Sequence, residues 1–202
     1  MTIPLEAFWA ATGIVALAEI GDKTQLLALT LAARFRAPTP IIAGILVSTV
    51  LNHACAGLLG AWISSVLDPV WLRWILLLSF LAMAVWMLIP DKLDDDLNPQ
   101  RMMKSTGSVF LTTAVLFFLA EIGDKTQVAT VMLATRYDSL LQVVTGTTLG
   151  MMLANVPAVY LGDKVAEKLP VKLIHVIAAG IFVVLAMALL AGPWVQGKGN
   201  IF

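Results

Sequence analysis

Apolar residues fill six long segments of the chain, separated by short polar stretches. Each segment approaches or exceeds the roughly 20 residues that a helix needs to cross the hydrocarbon core of a bilayer. Their apolarity is continuous rather than alternating, which favours helices over the strands of a barrel. The segments cover about residues 5–34, 40–66, 69–89, 107–136, 139–162 and 170–192. The pattern therefore predicts an all-α integral membrane protein with six transmembrane helices.

The chain contains an internal repeat. The sequence of residues 18–25 occurs again, letter for letter, at residues 120–127. The same offset of 102 residues relates Gly44 to Gly146 and Phe80 to Phe182. Because each repeat holds three helices, the second must enter the membrane from the opposite side. We therefore expect two inverted three-helix repeats, an arrangement typical of secondary transporters. Repeat 1 covers residues 1–90, an acidic linker covers 91–106, and repeat 2 covers 107–202.

Basic residues predict the orientation, since cytoplasmic loops carry an excess of Lys and Arg. One side of the predicted membrane holds eight of them: Arg34, Arg36, Lys92, Arg101, Lys104, Lys164, Lys168 and Lys172. The other side holds Arg73, Arg136 and Lys198. The first side is therefore expected in the cytoplasm, which makes the central loop cytoplasmic and places both termini outside.

Composition supports a membrane protein and narrows its partners. Charged residues make up 13% of the chain and hydrophobic residues 59%, against about 25% charged in soluble domains. The formal net charge is zero and no long basic run exists, which argues against a nucleic-acid partner. The single cysteine, Cys55, excludes an intramolecular disulfide and a cysteine-only metal cluster.

The duplicated motif places acids in the middle of two apolar segments, where each charge costs roughly 2.5–3.5 kcal/mol on insertion scales. Residues three or four apart share a helix face, so a continuous first helix would align Glu19, Asp22 and Lys23. Gly21 and Gly123 permit either close helix approach or a local break at the carboxylates. The candidate metal ligands are Glu19, Asp22, Glu121 and Asp124.

The motif charges suggest an exchange of ions. The four acids and the two motif lysines, Lys23 and Lys125, sum to a net charge of −2. One divalent cation or two protons would neutralise this charge, which makes these the two loaded states of an antiporter. Burial and like charges would favour protonation of the empty site. Oxygen ligands suit Ca²⁺, Mn²⁺ or Mg²⁺, and a nitrogen ligand from His53 would shift the preference toward Mn²⁺.

Other polar residues within the apolar segments are candidates for supporting roles or for a proton path. They are Gln25, Gln127, Lys23, Lys125, Thr24, Thr126, Asn52, His53 and Asn155. Hydrogen bonding between helices is the alternative role for the amides and for His53. On an ideal helix Thr24 and Thr126 point away from the acid face. His175, near the cytoplasmic end of the sixth segment, is expected at the membrane interface.

Both motif copies resemble the signature of one family, the Glu-x-Gly-Asp-Lys/Arg-Ser/Thr repeat family of cation/proton exchangers. The matching stretches are residues 19–24 and 121–126, without departure from the pattern. That family includes bacterial manganese exporters and Golgi manganese/calcium transporters linked to glycosylation. The resemblance covers nearly the whole chain. It implies that the motif acids bind the metal and help to carry protons, and that a chain of this size exports Mn²⁺ across the bacterial inner membrane.

The leading hypothesis is a multi-pass secondary transporter that exports Mn²⁺, with Ca²⁺ as a further candidate, in exchange for protons by alternating access. Its termini would be periplasmic, the ion would be its substrate, and no permanently bound cofactor is expected. The alternatives are an exporter of small cationic solutes such as amino acids, or a divalent cation channel. An enzyme is not predicted, because no soluble lobe could bind a substrate for acid–base chemistry. The sequence leaves a homo-oligomer open.

Overall fold

The computed structural model describes residues 5–89, 99, 107–161 and 171–191, and these residues form eight α-helices and no strand. Four belong to the first half: α1 (Glu6–Glu19), α2 (Lys23–Phe35), α3 (Pro38–Val66) and α4 (Pro69–Met87). Four belong to the second: α5 (Val109–Glu121), α6 (Lys125–Arg136), α7 (Leu140–Leu161) and α8 (Val171–Ala191). The predicted acidic linker at 91–106 lies outside the described residues except for Pro99.

The first and fourth apolar segments are each two short helices rather than the continuous helix that the pattern predicts. The breaks fall between α1 and α2 and between α5 and α6, inside the duplicated motif. Gly21 and Gly123 adopt φ values of 81° and 72° there. This left-handed conformation is easy for glycine and strained for other residues, so the glycines account for the break. Glu19 and Lys23 therefore belong to different helices and do not form one helical stripe.

Each broken segment restarts with an aspartate as its N-cap. Asp22 precedes α2 and accepts a hydrogen bond from the backbone N–H of Thr24, while Asp124 precedes α6 and accepts one from Thr126. An N-cap aspartate satisfies a backbone N–H that the helix leaves unbonded. Each motif copy thus ends one helix and begins the next. The N-termini of α2 and α6 therefore lie beside the motif carboxylates.

Four of the described helices are long and apolar enough to cross a membrane: α3, α4, α7 and α8. The other four, beside the two breaks, contain 12 to 14 residues each. A helix of that length is shorter than the hydrocarbon core is thick. The chain is therefore an all-helical, multi-pass membrane protein in which two segments are interrupted at the motif.

The two halves interlock, because the most extensive helix packing joins one half to the other. α1 packs on α7, α3 packs on α5 and α6, and α4 packs on α8. Small residues allow these approaches: a Cβ on Gly44 would lie 2.8 Å from the backbone oxygen of Phe110, and one on Gly146 would lie 2.5 Å from that of Phe8. Such close contact is how helices associate in lipid. The two equivalent glycines make equivalent contacts.

The two break glycines have different surroundings, and this predicts different costs of substitution. A Cβ at Gly21 would overlap the side chain of Val171, whereas a Cβ at Gly123 would meet nothing within 4 Å. A positive φ alone costs a non-glycine residue roughly 1–2 kcal/mol. We expect Gly21→Ala to lower the melting temperature of the purified protein more than Gly123→Ala does. Adding Val171→Ala should remove most of the difference, and equal melting temperatures for the two glycine variants would contradict this account.

Candidate functional site

Three of the four predicted acids converge where the two helix breaks meet. Carboxylate oxygens of Glu19, Asp22 and Asp124 all lie within 4.8 Å of one another. Each of these residues is at most 2% exposed. Glu19 and Asp22 come from the first half and Asp124 comes from the second. The cluster therefore joins the two repeats, as expected for a site at the repeat interface.

Glu19 is oriented by α7. The side-chain amide of Asn155 donates to Glu19 Oε1 at 3.1 Å. Glu19 Oε2 and Asn155 Oδ1 are both buried and have no hydrogen-bond partner among the described residues. Buried oxygens in native proteins are normally paired, so two that lack partners beside a carboxylate cluster suit the binding of a cation. The prediction of a supporting role for Asn155 thus gains a specific contact.

The motif threonines contact the aspartates, contrary to the expectation that they point away from the acids. The Thr24 hydroxyl donates to Asp22 Oδ2 at 3.4 Å, and the Thr126 hydroxyl donates to Asp124 Oδ2 at 3.1 Å. The expectation assumed a continuous helix, and the break makes each aspartate an N-cap within reach of the residue two positions later. The threonines therefore fix one oxygen of each aspartate.

Glu121 does not belong to the three-acid group. Its Oε1 accepts a hydrogen bond from the Thr49 hydroxyl at 3.0 Å, and its Oε2 has no hydrogen-bond partner among the described residues. Asn52 lies nearby and donates to the backbone oxygen of Phe118 at 3.1 Å. Each motif glutamate is thus held by a long helix of the opposite repeat, α7 for Glu19 and α3 for Glu121. Thr49 could not be identified from the sequence, since one threonine in an apolar helix carries no signal by itself.

The motif lysines have unequal environments. Lys23 Nζ lies 3.4 Å from Asp124 Oδ1, so an ammonium of the first half pairs with an acid of the second. Lys125 is 1% exposed, and its Nζ donates to the backbone oxygen of Ile89 at 2.6 Å, beyond the end of α4. The equivalence of the two motif copies in sequence therefore does not extend to the contacts of their lysines.

Each motif glutamine accepts a hydrogen bond from the glycine at its helix break. Gln25 Oε1 accepts from the backbone N–H of Gly21, and Gln127 Oε1 accepts from that of Gly123, both at 2.8 Å. Gln25 Nε2 also donates to the backbone oxygen of Ala154 at 3.1 Å. The left-handed glycine and the glutamine four residues later thus form one local unit. These contacts support a positioning role for the glutamines.

The two histidines have different environments. His53 is fully buried in α3, and neither ring nitrogen has a hydrogen-bond partner among the described residues. His175 is buried against its neighbours, and its Nε2 lies 2.8 Å from the backbone oxygen of Ile20. That contact ties α8 to the first break, because a helix end leaves carbonyl groups without helical partners.

The Lys23 contact yields a prediction. The Lys23 ammonium competes with a bound cation for Asp124, so Lys23→Met should increase cation affinity and slow release. We expect a lower Mn²⁺ KM together with a lower maximal rate in vesicle uptake measurements. Arg34→Met, at the end of α2, is the matched control and should change neither value. A raised KM in Lys23→Met would show instead that the lysine organises the site.

Comparison with known proteins gives one family and several relatives. The chain matches the family described as "Divalent cation/proton antiporter GDT1" over residues 7–95 and 109–196. A Vibrio cholerae protein named "Putative manganese exporter" is 53% identical over 175 residues, which cover 86% of this chain and 85% of that protein. No solved structure matches the chain.

More distant relatives come from rice. The GDT1-like protein 3 of Oryza sativa subsp. indica is 27% identical over 203 residues, covering 88% of this chain and 71% of the rice protein. The GDT1-like protein 4 of the same subspecies is 26% identical over 185 residues, covering 81% and 66%. The two blocks matched by the family each contain one copy of the motif.

Proposed function

The chain belongs to the divalent cation/proton antiporter GDT1 family, and we propose that it exports Mn²⁺ from the cytosol in exchange for protons. It is a transporter and not an enzyme, so the metal ion is its substrate. The resemblance of the motif copies to cation/proton exchangers is confirmed by the family match. The relative named as a manganese exporter supports the choice of Mn²⁺.

One observation carries the proposal: carboxylates from both repeats lie within 4.8 Å of one another in a buried site. Three acids at that separation repel one another unless cations or protons compensate them. Carboxylate and amide oxygens are the ligands that hard divalent cations prefer. Glu19, Asp22 and Asp124 would bind the ion directly, and the adjacent Asn155 Oδ1 is placed to contribute a neutral oxygen.

The exchange follows from competition for the same oxygens. A Mn²⁺ ion at the three acids displaces their protons, and protons that enter from outside displace the ion. Metal and protons therefore occupy the site alternately rather than together. With a net motif charge of −2, the expected ratio is two protons for each Mn²⁺.

The unequal contacts of the two motif copies support alternating access. Glu19 joins the aspartates and Lys23 pairs with Asp124, whereas Glu121 binds Thr49 and Lys125 binds a backbone oxygen. In our proposal these contacts belong to one state of two that the inverted repeats exchange. In the other state Glu121 would join the aspartates. Each repeat packs mainly on the other. Each moving unit would therefore contain helices from both repeats, and the two repeats would not move as separate bodies.

The broken segments support six membrane crossings. Together α1 and α2 would form one interrupted crossing and α5 and α6 another, which adds two to the four long helices. Interrupted helices at a midplane site are common in secondary transporters. In this topology both termini are periplasmic and the central loop is cytoplasmic, in the bacterial inner membrane. Whether the protein works alone or as a homo-oligomer does not affect the site, which one chain completes.

The test is transport by purified protein in lipid vesicles that contain a pH-sensitive dye. Mn²⁺ uptake and internal pH are recorded together, with and without an imposed pH gradient, and Ca²⁺ and lysine are run in parallel. We expect Mn²⁺ to move in one direction as protons move in the other. Ca²⁺ movement of the same kind would extend the substrate range to both ions.

Other results would favour the remaining candidates. Mn²⁺ movement without a proton signal would indicate a channel. Movement of lysine, with neither metal ion transported, would indicate an exporter of cationic solutes. Either result from folded and inserted protein would overturn the proposal.

A further inference from the structure

A thioether sulfur contacts the same amide that holds Glu19 in the three-acid site. Asn155 Nδ2, which donates to Glu19 Oε1 at 3.1 Å, also lies 3.1 Å from Met151 Sδ and 3.1 Å from the backbone oxygen of Met151. Met151 is fully buried in α7, one helical turn before Asn155. A carboxylate oxygen and a thioether sulfur therefore share one amide donor. Among the described residues, Glu121 has no such sulfur neighbour, and the Thr49 hydroxyl occupies the equivalent place.

The repeat makes this contrast specific. The offset of 102 residues relates Met151 to Thr49, so the two residues occupy corresponding positions on α7 and α3. Thr49 donates its hydroxyl hydrogen to Glu121, whereas Met151 places a soft, polarisable sulfur against the amide that donates to Glu19. Glu19, which shares the Asn155 amide with Met151, is one of the three acids that could hold a cation.

We propose that Met151 is a specificity-determining residue, whose thioether favours transition-metal cations over Ca²⁺ and Mg²⁺ at the Glu19 site. Ca²⁺ and Mg²⁺ take oxygen ligands almost exclusively, whereas sulfur ligands suit softer metal ions. A sulfur at the site removes one position that an oxygen would otherwise occupy. The site is therefore poorer for Ca²⁺ than an all-oxygen site, while it remains suitable for Mn²⁺ and best for a softer ion such as Cd²⁺. This inference rests on the proposed function, since it assigns the selectivity of the same site.

The test measures binding rather than transport, so that it does not depend on Mn²⁺ export. Binding of Cd²⁺ and of Ca²⁺ to purified protein is measured in a Cys55→Ser background, which removes the chain's one thiol. Met151→Leu keeps a buried apolar side chain of similar volume and removes the sulfur. Met132→Leu, in the apolar core, is the matched control. A thermal melt of each variant checks folding.

We expect Met151→Leu to weaken Cd²⁺ binding by roughly tenfold or more and to leave Ca²⁺ binding unchanged. Met151→Thr, which copies the first repeat, should raise Ca²⁺ affinity relative to Cd²⁺, and Met132→Leu should change neither ion. X-ray absorption of the Cd²⁺ complex should show a sulfur neighbour that disappears in Met151→Leu. Equal loss of both ions, or a Cd²⁺ spectrum without sulfur before the substitution, would overturn the assignment. Absence of Mn²⁺ flux alongside a sulfur-dependent Cd²⁺ site would overturn the proposed function and leave this inference standing.

Discussion

Replacing Glu19 by glutamine is expected to abolish Mn²⁺ transport and to weaken Mn²⁺ binding by about a hundredfold or more. Glutamine keeps the size of the side chain and can still accept a hydrogen bond from Asn155. It removes one of the three negative charges that lie within 4.8 Å of one another. The loss would therefore come from the missing charge, and the melting temperature should stay near that of the unchanged protein. Vesicle flux and calorimetric Mn²⁺ titration measure the two effects.

The matched control lies on the same helix. Glu6→Gln makes the same chemical change at the exposed first residue of α1 and should leave both flux and binding unchanged. Mn²⁺ transport that survives Glu19→Gln at more than a small fraction of the normal rate would remove Glu19 from the ligand set. A large fall in melting temperature would assign the carboxylate a structural role instead.

Replacing Glu121 by glutamine is expected to separate binding from transport. In the described state Glu121 is held by Thr49 and lies outside the three-acid group, so Mn²⁺ affinity in detergent should change only slightly. In our proposal the opposite state needs Glu121 beside the aspartates, so the exchange cycle should stop. We expect near-normal calorimetric binding together with flux at the background level.

Two other results for Glu121→Gln would contradict the proposed exchange of roles between the two glutamates. Loss of Mn²⁺ binding equal to that of Glu19→Gln would mean that all four motif acids surround the ion at once. Normal flux would mean that the two glutamates do not exchange roles. Thr49→Val, which removes only the hydroxyl that holds Glu121, serves as a companion variant and should leave binding intact while altering the rate of transport.

Much of the architecture could be predicted from the sequence because it rests on simple patterns. Long apolar segments indicate membrane helices, and an exact duplication at an offset of 102 residues indicates repeated structure. The start of α4 follows from Asp68 and Pro69, an N-cap followed by a proline that favours the first helical turn. The acids of the site were found because charged residues are costly in apolar segments.

The helix breaks were harder to predict because glycine is compatible with both a tight helix contact and a left-handed turn. Gly21 offered both alternatives, and only the structure distinguishes them. The orientation of Thr24 depended on the same choice, and the expectation based on a continuous helix was wrong. Asp22, two residues before Thr24, could have indicated the N-cap of α2, because aspartate is favoured at that position.

The contacts between the halves could not be read from local sequence. Thr49 holds Glu121 across 72 residues of chain and Asn155 holds Glu19 across 136. Such pairs depend on how α3 and α7 pack against the opposite repeat, which no spacing rule specifies. The environment of Met151 is likewise a tertiary property, because an isolated methionine in an apolar helix usually only fills space.

The central claim is that the same buried carboxylates hold either one divalent cation or protons. Calorimetric titration of Mn²⁺ into purified protein, repeated in buffers with different heats of ionisation, counts the ions bound and the protons released in one measurement. The account predicts one Mn²⁺ for each chain, a release of up to two protons, and weaker binding at lower pH. Binding of Mn²⁺ with no proton release at any pH would contradict it.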